Sequence, residues 1–253
     1  MKNFAALVLA AGKGTRLASG APSPKPKVLY ELAGKPMVLY TLDILKKIGL
    51  EEIVIVVGHK ASDVVKIAGK SFKFAVQEKR LGTGHAVKIG LERVSADRTQ
   101  VIVLNGDDSA FYKVGTIKKV IDKHIGKGNT ITFVSLEPAD PKGLGRVVRK
   151  SGKVVGIVEE KAATAQQRKI KEVNDGVYIF RRDWLEDNLP KIKKSAVGEY
   201  YLVDLVSLAV LQEQKVDAFK LSDSSEWLGV NTPKELAAAD KYMRKMADNV
   251  TED

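Results

Sequence analysis

Apolar and polar positions follow one another along this chain as short strand-like runs separated by longer helical ones. Residues 4–10 (FAALVLA) are apolar throughout, the mark of a strand buried on both faces, and residues 52–57 (EIVIVV) repeat the pattern with β-branched side chains. Residues 72–77, 100–104 and 130–135 predict three further strands. Between them, residues 38–48 place Val38, Leu42, Leu45 and Ile48 on one helical face with Lys46 and Lys47 opposite. Pro36 stands near the start of that helix, where a missing N–H costs no intrahelical bond. Residues 86–94 and 114–127 carry similar faces. Strand and helix in alternation predict an α/β fold: a mostly parallel central sheet flanked by helices on both sides.

In the second half the pattern changes. Residues 147–149, 153–159 and 173–180 read as strands divided by turn signals such as Ser151-Gly152, an antiparallel extension of the sheet. A helix over 200–212, a strand over 216–221 and a terminal helix from about Pro233 complete the series. No Gly/Ser-rich linker divides the chain and no internal repeat is present. The expectation is one domain over residues 1–231 with a C-terminal helix, 232–253, appended to it. Leu236, Ala239 and Met243 share a face of that helix, suited to packing on its own domain or on a second copy in a homo-oligomer.

Composition narrows the classes of function. The chain has 253 residues, 44% hydrophobic and 29% charged, enough to bury a core without staples. With no cysteine, disulfides, thiolate metal sites and cysteine nucleophiles are excluded. His59, His85 and His124 have no metal-ligand spacing, and no catalytic role is assigned to them. No apolar run approaches the roughly 20 residues of a membrane span. The first apolar stretch meets Lys13 and Arg16 too soon for a signal peptide, so a cytoplasmic protein is expected. The 42 basic residues against 31 acidic ones give a net charge of +11, which suits an anionic partner. The basic residues are nevertheless scattered and no nucleic-acid-binding motif is present, so neither nucleic acid nor a membrane surface is the expected partner.

The candidate chemistry begins where the first strand ends. Leu9-Ala10-Ala11-Gly12-Lys13-Gly14-Thr15-Arg16-Leu17 lies at the carboxyl end of that strand, where open α/β sheets hold ligands. Two glycines allow backbone amides to approach a phosphate chain, and Arg16 can clamp phosphate oxygens in a bidentate manner. The loop is not a dinucleotide fingerprint, which needs glycine where Leu17 stands, nor a Walker loop, which ends Gly-Lys-Ser/Thr. Lys25-Pro26-Lys27 follows, a proline-stiffened segment whose lysines suit a phosphate oxygen.

These residues, with Pro26-Lys27-Val28-Leu29 and Leu32-Ala33-Gly34-Lys35-Pro36-Met37, resemble the sugar-1-phosphate nucleotidyltransferases. The nearest likeness is to the uridylyltransferase domain of the bacterial enzyme that forms UDP-N-acetylglucosamine. The likeness continues in order through Gln77 with Leu81-Gly82-Thr83-Gly84-His85-Ala86, Gly106-Asp107, Gly143-Leu144-Gly145-Arg146, Ile157-Val158-Glu159-Glu160-Lys161, Glu172-Val173-Asn174 with Gly176, Glu199-Tyr200-Tyr201 with Asp204, and Gly229-Val230-Asn231. It implies a Rossmann-like, nucleotide-diphospho-sugar transferase (GT-A-like) sheet. It also implies the condensation of UTP with a sugar 1-phosphate, most closely N-acetylglucosamine 1-phosphate, to a UDP-sugar and pyrophosphate. The monoester's second pKa lies near ~6, so its attacking oxygen needs no general base at pH 7. What the reaction asks for is alignment and positive charge.

By this resemblance Arg16 and Lys27 are the catalytic cations. Leu9, Ala11, Gly12, Gly14, Thr15, Gln77, Gly82 and Thr83 hold the nucleotide, Gln77 offering donor and acceptor to a uracil edge. Gly145, Glu159, Asn174 and Tyr201 receive the sugar, and Asp107 and Asn231 hold one Mg²⁺, a cation that uses few protein oxygens. On residue type alone Asp107 also suits a turn cap, Asn231 the N-cap of the helix at Thr232-Pro233, and Tyr201 a helix core. The stretch from Arg16 to Lys27 is longer than in the nearest relatives. Asp108-Ser109-Ala110 replaces a usual Val-Pro-Leu, and Asp175 and Val203 replace usual threonines, changes that bear on the sugar more than on the reaction. The hexapeptide pattern of the bifunctional relatives' β-helix acetyltransferase domain is absent. Other nucleotidyltransferases, using glucose 1-phosphate or dTTP, a GT-A-type glycosyltransferase built on Asp107-Asp108, and a nucleotide-sugar sensor are the competing expectations.

Overall fold

The computed structural model of the chain describes residues 1–18 and 25–250. The first apolar run forms β1 (Phe4–Ala10), buried at every position but Leu9. A short hairpin of β2 (Glu31–Leu32) and β3 (Lys35–Pro36) follows. Then come α1 (Met37–Lys47), β4 (Glu52–Val57), α2 (Ala61–Ala68), β5 (Lys73–Val76), α3 (Thr83–Leu91), β6 (Gln100–Asn105), α4 (Val114–Lys127) and β7 (Ile131–Leu136). The second half holds β8 (Arg146–Lys150), β9 (Lys153–Val158), the long β10 (Val173–Arg181), α5 (Arg182–Asn188), α6 (Asp204–Leu211), β11 (Val216–Lys220) and α7 (Pro233–Val250).

Among the described residues, nine strands join one sheet in the order β11-β7-β10-β6-β1-β4-β5, with β8 and β9 attached beside β10. β1 is central: Leu7 lies opposite Val54 of β4 on one side and Val103 of β6 on the other, both parallel. β10 runs antiparallel to β6 and to β7, and β11 returns parallel to β7. The α/β sheet with an antiparallel portion is the architecture the pattern predicts.

Alternate residues of each strand enter different cores. Ala6, Val8, Ile55, Ile102 and Leu104 pack with Leu42 and Leu45 of α1 and Ile117 and Ile121 of α4. Leu7, Val54, Val56, Val101 and Val103 face the other way, against Val87 of α3, Leu185 of α5 and Leu205 of α6. Burial on both faces is why the strands are apolar throughout instead of alternating. Each such Leu, Ile or Val contributes roughly 1.5–3 kcal/mol by leaving water.

The helix expected over 200–212 begins only at Asp204. The backbone before it is drawn away: Tyr200 N–H donates to Leu81 O (2.7 Å) and Gly84 N–H to Tyr200 O (2.8 Å), a strand-like pairing incompatible with a helix. The helix expected from residue 86 opens earlier, at Thr83. α2, α5 and the β2–β3 hairpin were not read from the sequence; α2 buries only Val64, too little to leave a periodic signature. The terminal helix packs on its own chain. Ala239 joins Leu17, Leu32, Met37, Phe111 and Val230 in a third core, with Leu236, Tyr242 and Met243 against it. Asp240 Oδ1 accepts from the Ala33 N–H at 2.7 Å. Residues 251–253 of the expected helical segment, and 19–24 of the long stretch before Lys27, lie outside the described residues.

One ionic cluster locks the sheet's edge. Glu52, 6% exposed, accepts from Lys73 Nζ (2.6 Å), Arg98 Nε (2.7 Å), Ser95 N–H (2.9 Å) and Ser95 Oγ (2.9 Å). Burial alone would raise its pKa, but these donors outweigh burial and hold it down to about 2. A carboxylate depressed on folding stabilises the protein above its unfolded pKa, near ~4.3, and loses that contribution as pH falls towards 2. Glu52→Gln is therefore expected to lower stability by about 1–2 kcal/mol at pH 7 in urea titrations. The gap to the parent should narrow as pH falls from 4.5 towards 2; a gap that stays constant with pH would refute this role.

Candidate active site

The chain passes from β1 outward to β4 and β5, then returns to β6 on the other side of β1. This reversal opens a crevice at the carboxyl ends of β1 and β6, where doubly wound sheets bind ligands. Residues 11–18 turn there. Gly14 adopts φ +70°, and a Cβ on it would stand 3.3 Å from the Lys27 Cα. Glycine is thus needed both for the backbone angle and for the close pass. The Lys27 N–H closes the approach by donating to Gly12 O at 3.3 Å, at the start of a single 3₁₀ turn, Lys27–Leu29.

Four of the expected residues converge at this mouth. Lys27 Nζ forms a salt bridge with Asp107 Oδ2 and donates to Asn231 Oδ1 at 3.0 Å. Arg16 Nη2 donates to the same Asn231 oxygen, also at 3.0 Å. Lys27 and Asn231, 204 positions apart in sequence, thus meet at one ammonium that also holds Asp107, with the Lys27 and Asp107 side chains only 17% and 14% exposed. Asn231 does not cap the following helix. Thr232 does, its Oγ1 accepting from the Glu235 N–H (3.2 Å), while Glu235 Oε2 accepts from the N–H groups of Asn231 (2.7 Å) and Thr232 (3.0 Å). This capping box frees the Asn231 amide for the mouth.

A cavity of about 250 Å³ runs inward from it. Leu9, Ala11, Gly12, Lys27, Gln77, Gly82, Thr83, Asp107 and Tyr201, all expected site positions, line it. Gly14 and Thr15 lie on the loop beside it, Thr15 exposed. At the inner end Gln77 is 4% exposed, and its Nε2 donates to Gly82 O and meets His85 Nδ1, both at 3.0 Å. Gly82 has φ +94°, and a Cβ there would lie 2.5 Å from Tyr200 O, so no other residue fits. The Thr83 hydroxyl accepts from the Leu202 N–H at 3.0 Å, tying the 81–84 turn to the segment that carries Tyr201.

Gly145, Glu159 and Asn174 form a second group, outside the lining of that cavity. The Asn174 N–H donates to Gly145 O at 2.8 Å, and a Cβ on Gly145 would stand 3.5 Å from Glu159 Oε1. Burial, with the charge of Asp204 added, raises the Glu159 pKa. Arg80, Asn105 and Glu199 also line the cavity and were given no site role from the sequence. Glu199 belongs to the motif Glu199-Tyr200-Tyr201 already recognised, and Asn105 stands beside another, Gly106-Asp107, so adjacency was the available signal for Asn105. His85 was passed over because its spacing suits no metal, which says nothing of hydrogen bonding.

Two departures from the family pattern meet beneath the mouth. Asp108 accepts from Asn105 Nδ2 at 3.3 Å, and its pKa is raised to about 8 by burial and then by the charge of Asp107. Asp175, 6% exposed, is raised well above the carboxylate range by burial and then by Asp108. Burial thus disfavours the charged form of both carboxyls beneath the mouth. His124, by contrast, is structural: its ring bonds Thr132 Oγ1 (2.9 Å) and Gln100 Oε1 (3.0 Å), and burial lowers its pKa to about 4. Among the described residues no three His, Asp or Glu side chains form a metal cluster, and no helix is long and apolar enough to cross a membrane.

The chain is similar in sequence and in fold to known proteins. The bifunctional protein GlmU of Thermoanaerobacter pseudethanolicus is 39% identical over 247 residues, 97% of this chain and 52% of the relative. That of Streptococcus equi subsp. zooepidemicus is 38% identical over 247 residues with the same coverage, and that of Clostridioides difficile 37% over 245 residues, 96% and 52%. The chain thus spans about half the length of the curated relatives it matches. A 2.76 Å crystal structure from Bacillus anthracis in complex with a sucrose, provisionally assigned as a glucose-1-phosphate thymidylyltransferase, superposes with a TM-score of 0.80. It covers 95% of each chain at 22% identity, a likeness of fold. Residues 5–245 match the family described as nucleotidyl transferase, and with relatives at this identity across nearly its whole length, the chain belongs to the nucleotidyl transferase family.

Proposed function

We propose that the chain is a uridylyltransferase that condenses UTP with a sugar 1-phosphate, N-acetylglucosamine 1-phosphate being the sugar its motifs favour, to give a UDP-sugar and pyrophosphate. The observation that carries this reading is the convergence of Arg16, Lys27, Asp107 and Asn231 at the mouth of a cavity that ends at Gln77. In this reading the 11–18 loop presents backbone amides to the triphosphate. Arg16 and Lys27 neutralise the oxygens that gain charge as the pyrophosphate departs. Gln77 and the Gly82-Thr83 turn hold the base, which fixes the α-phosphorus in line with the sugar phosphate. Glu159, Asn174, Gly145 and Tyr201 take the sugar, the first two through its hydroxyls. No residue need act as a general base, because the attacking phosphate is already ionised.

The Asp107 and Asn231 oxygens both touch one cation, the Lys27 ammonium, so they already converge on a cationic position. One carboxylate and one amide oxygen are a donor set that suits Mg²⁺, which completes its shell with water and phosphate oxygens. Bound there, Mg²⁺ would supply charge neutralisation between the two anionic reactants. A cytoplasmic enzyme on small molecules, with an NTP and a sugar phosphate as its partners, is the setting this reading implies.

Incubation with each of UTP, dTTP, CTP and GTP, Mg²⁺ and a panel of sugar 1-phosphates tests the reading. Pyrophosphate should appear with UTP and fastest with N-acetylglucosamine 1-phosphate. Release with dTTP and glucose 1-phosphate instead would move the assignment within the family, and no release from any pair would overturn it.

A further inference from the structure

Behind the cavity lining stands a residue to which the proposed reaction gives no role, His85, bonded to the lining residue Gln77. Gln77 stands just after β5, and its amide has two N–H donors on Nε2. One goes to Gly82 O and the other to His85 Nδ1, each at 3.0 Å. The first contact fixes which way the amide faces, because a flipped amide would set Oε1 against a carbonyl oxygen. That carbonyl cannot turn to suit a flipped amide: it also accepts from the Ala86 N–H (3.1 Å), and the Gly82 backbone is pressed against Tyr200. With Nε2 so placed, His85 Nδ1 must accept, so the ring proton sits on Nε2. Desolvation lowers the His85 pKa, which keeps that acceptor lone pair free. Both donors of Gln77 are then spent inside the protein, and only its carbonyl oxygen is left to meet a ligand.

We propose that His85 is a positioning residue for base selectivity: by taking the second amide proton of Gln77 it makes that side chain an acceptor only, matched to the N3–H of a uracil or thymine ring. Cytosine offers a lone pair at N3, which the Gln77 oxygen repels. Without His85 only the Gly82 carbonyl opposes a turn of the amide, and a glutamine that turns serves either base. The claim rests on the nucleotidyltransferase reading for its ligand class and adds how the protein selects within it.

The test compares wild type with His85→Leu, which cannot accept, and His85→Asn, whose Oδ1 takes the place of Nδ1. Equilibrium binding and kcat/KM are measured for UTP, CTP and N3-methyl-UTP. Wild type is expected to favour UTP over both others by ~100-fold. His85→Leu should compress that preference about tenfold, with the loss for UTP falling on KM more than on kcat, and His85→Asn should restore most of it. ¹⁵N NMR of the His85 ring should show Nδ1 unprotonated. A His85→Leu variant with wild-type selectivity, an Nδ1-protonated ring, or no nucleotide binding at all would overturn the proposal. Shifted binding selectivity without pyrophosphate release would leave it standing and reject the uridylyltransferase reading; release with unshifted selectivity would do the reverse.

Discussion

Asp107→Asn is expected to cut pyrophosphate release by about 10³-fold or more while the protein stays folded. The substitution keeps the shape of the side chain and an oxygen at the mouth but removes the negative charge. In the free protein that charge holds Lys27 Nζ; in the reaction it would be the one anionic protein ligand of Mg²⁺, since Asn231 brings only a neutral amide. Asp108 does not take its place: burial, the larger cause of its raised pKa and one the substitution leaves intact, disfavours its charged form, and its carboxyl is engaged by Asn105 Nδ2. The defect should therefore be relieved in part by raising Mg²⁺, and this separates a lost ligand from a distorted loop. Asp107 lies outside the apolar cores, so the melting temperature should move by a few degrees at most. A variant rate within twofold of wild type, at any Mg²⁺ concentration, would refute the metal assignment.

The sequence carried the sheet clearly and the site unevenly, for physical reasons. β1 and β4 are buried on both faces, so all their residues but Glu52 are apolar, and their limits match the runs at 4–10 and 52–57. α4 was equally plain, with a continuous apolar face over Val114–Lys127. The start of α6 was not, because what keeps Tyr200 and Tyr201 out of the helix is a pairing with residues 81–84, more than a hundred positions away. Local pattern cannot encode such a contact. The mouth could be sought in the sequence because Gly12 and Gly14 follow a buried strand and the family resemblance picks out the motifs that hold Lys27 and Asp107. Which side chains those residues touch was not legible there: the capping box at Thr232 is readable from Thr-x-x-Glu, yet only the fold turns the freed Asn231 amide toward Arg16 and Lys27. Nor could residue type say that Asp108 and Asp175, separate in sequence, come close together, the charge of Asp108 adding to burial in raising the Asp175 pKa. Their place beneath the mouth is a property of β6 and β10 lying side by side in antiparallel register.

Lys27→Met should affect turnover and metal binding in opposite directions. Pyrophosphate release is expected to fall by about 10²–10³-fold, because in the proposed reaction the lysine would neutralise the departing phosphates, and methionine fills its volume without its charge. Divalent-ion binding to the free protein should strengthen. In the structure the Lys27 ammonium touches both the Asp107 carboxylate and the Asn231 amide oxygen, so it competes for the very oxygens a divalent ion needs. Two like charges ~4 Å apart repel by several kcal/mol even at an effective dielectric near 20. Removing one should tighten Mn²⁺ binding, read by electron paramagnetic resonance without nucleotide, by at least ~10-fold. Asn231 stays in place in the variant because Arg16 still donates to it at 3.0 Å. A lysine that only braced the 11–18 loop against Gly12 would give a different result, since its loss would weaken both activities or neither. Slower turnover with unchanged Mn²⁺ affinity would mean that the ammonium and the metal do not share a position.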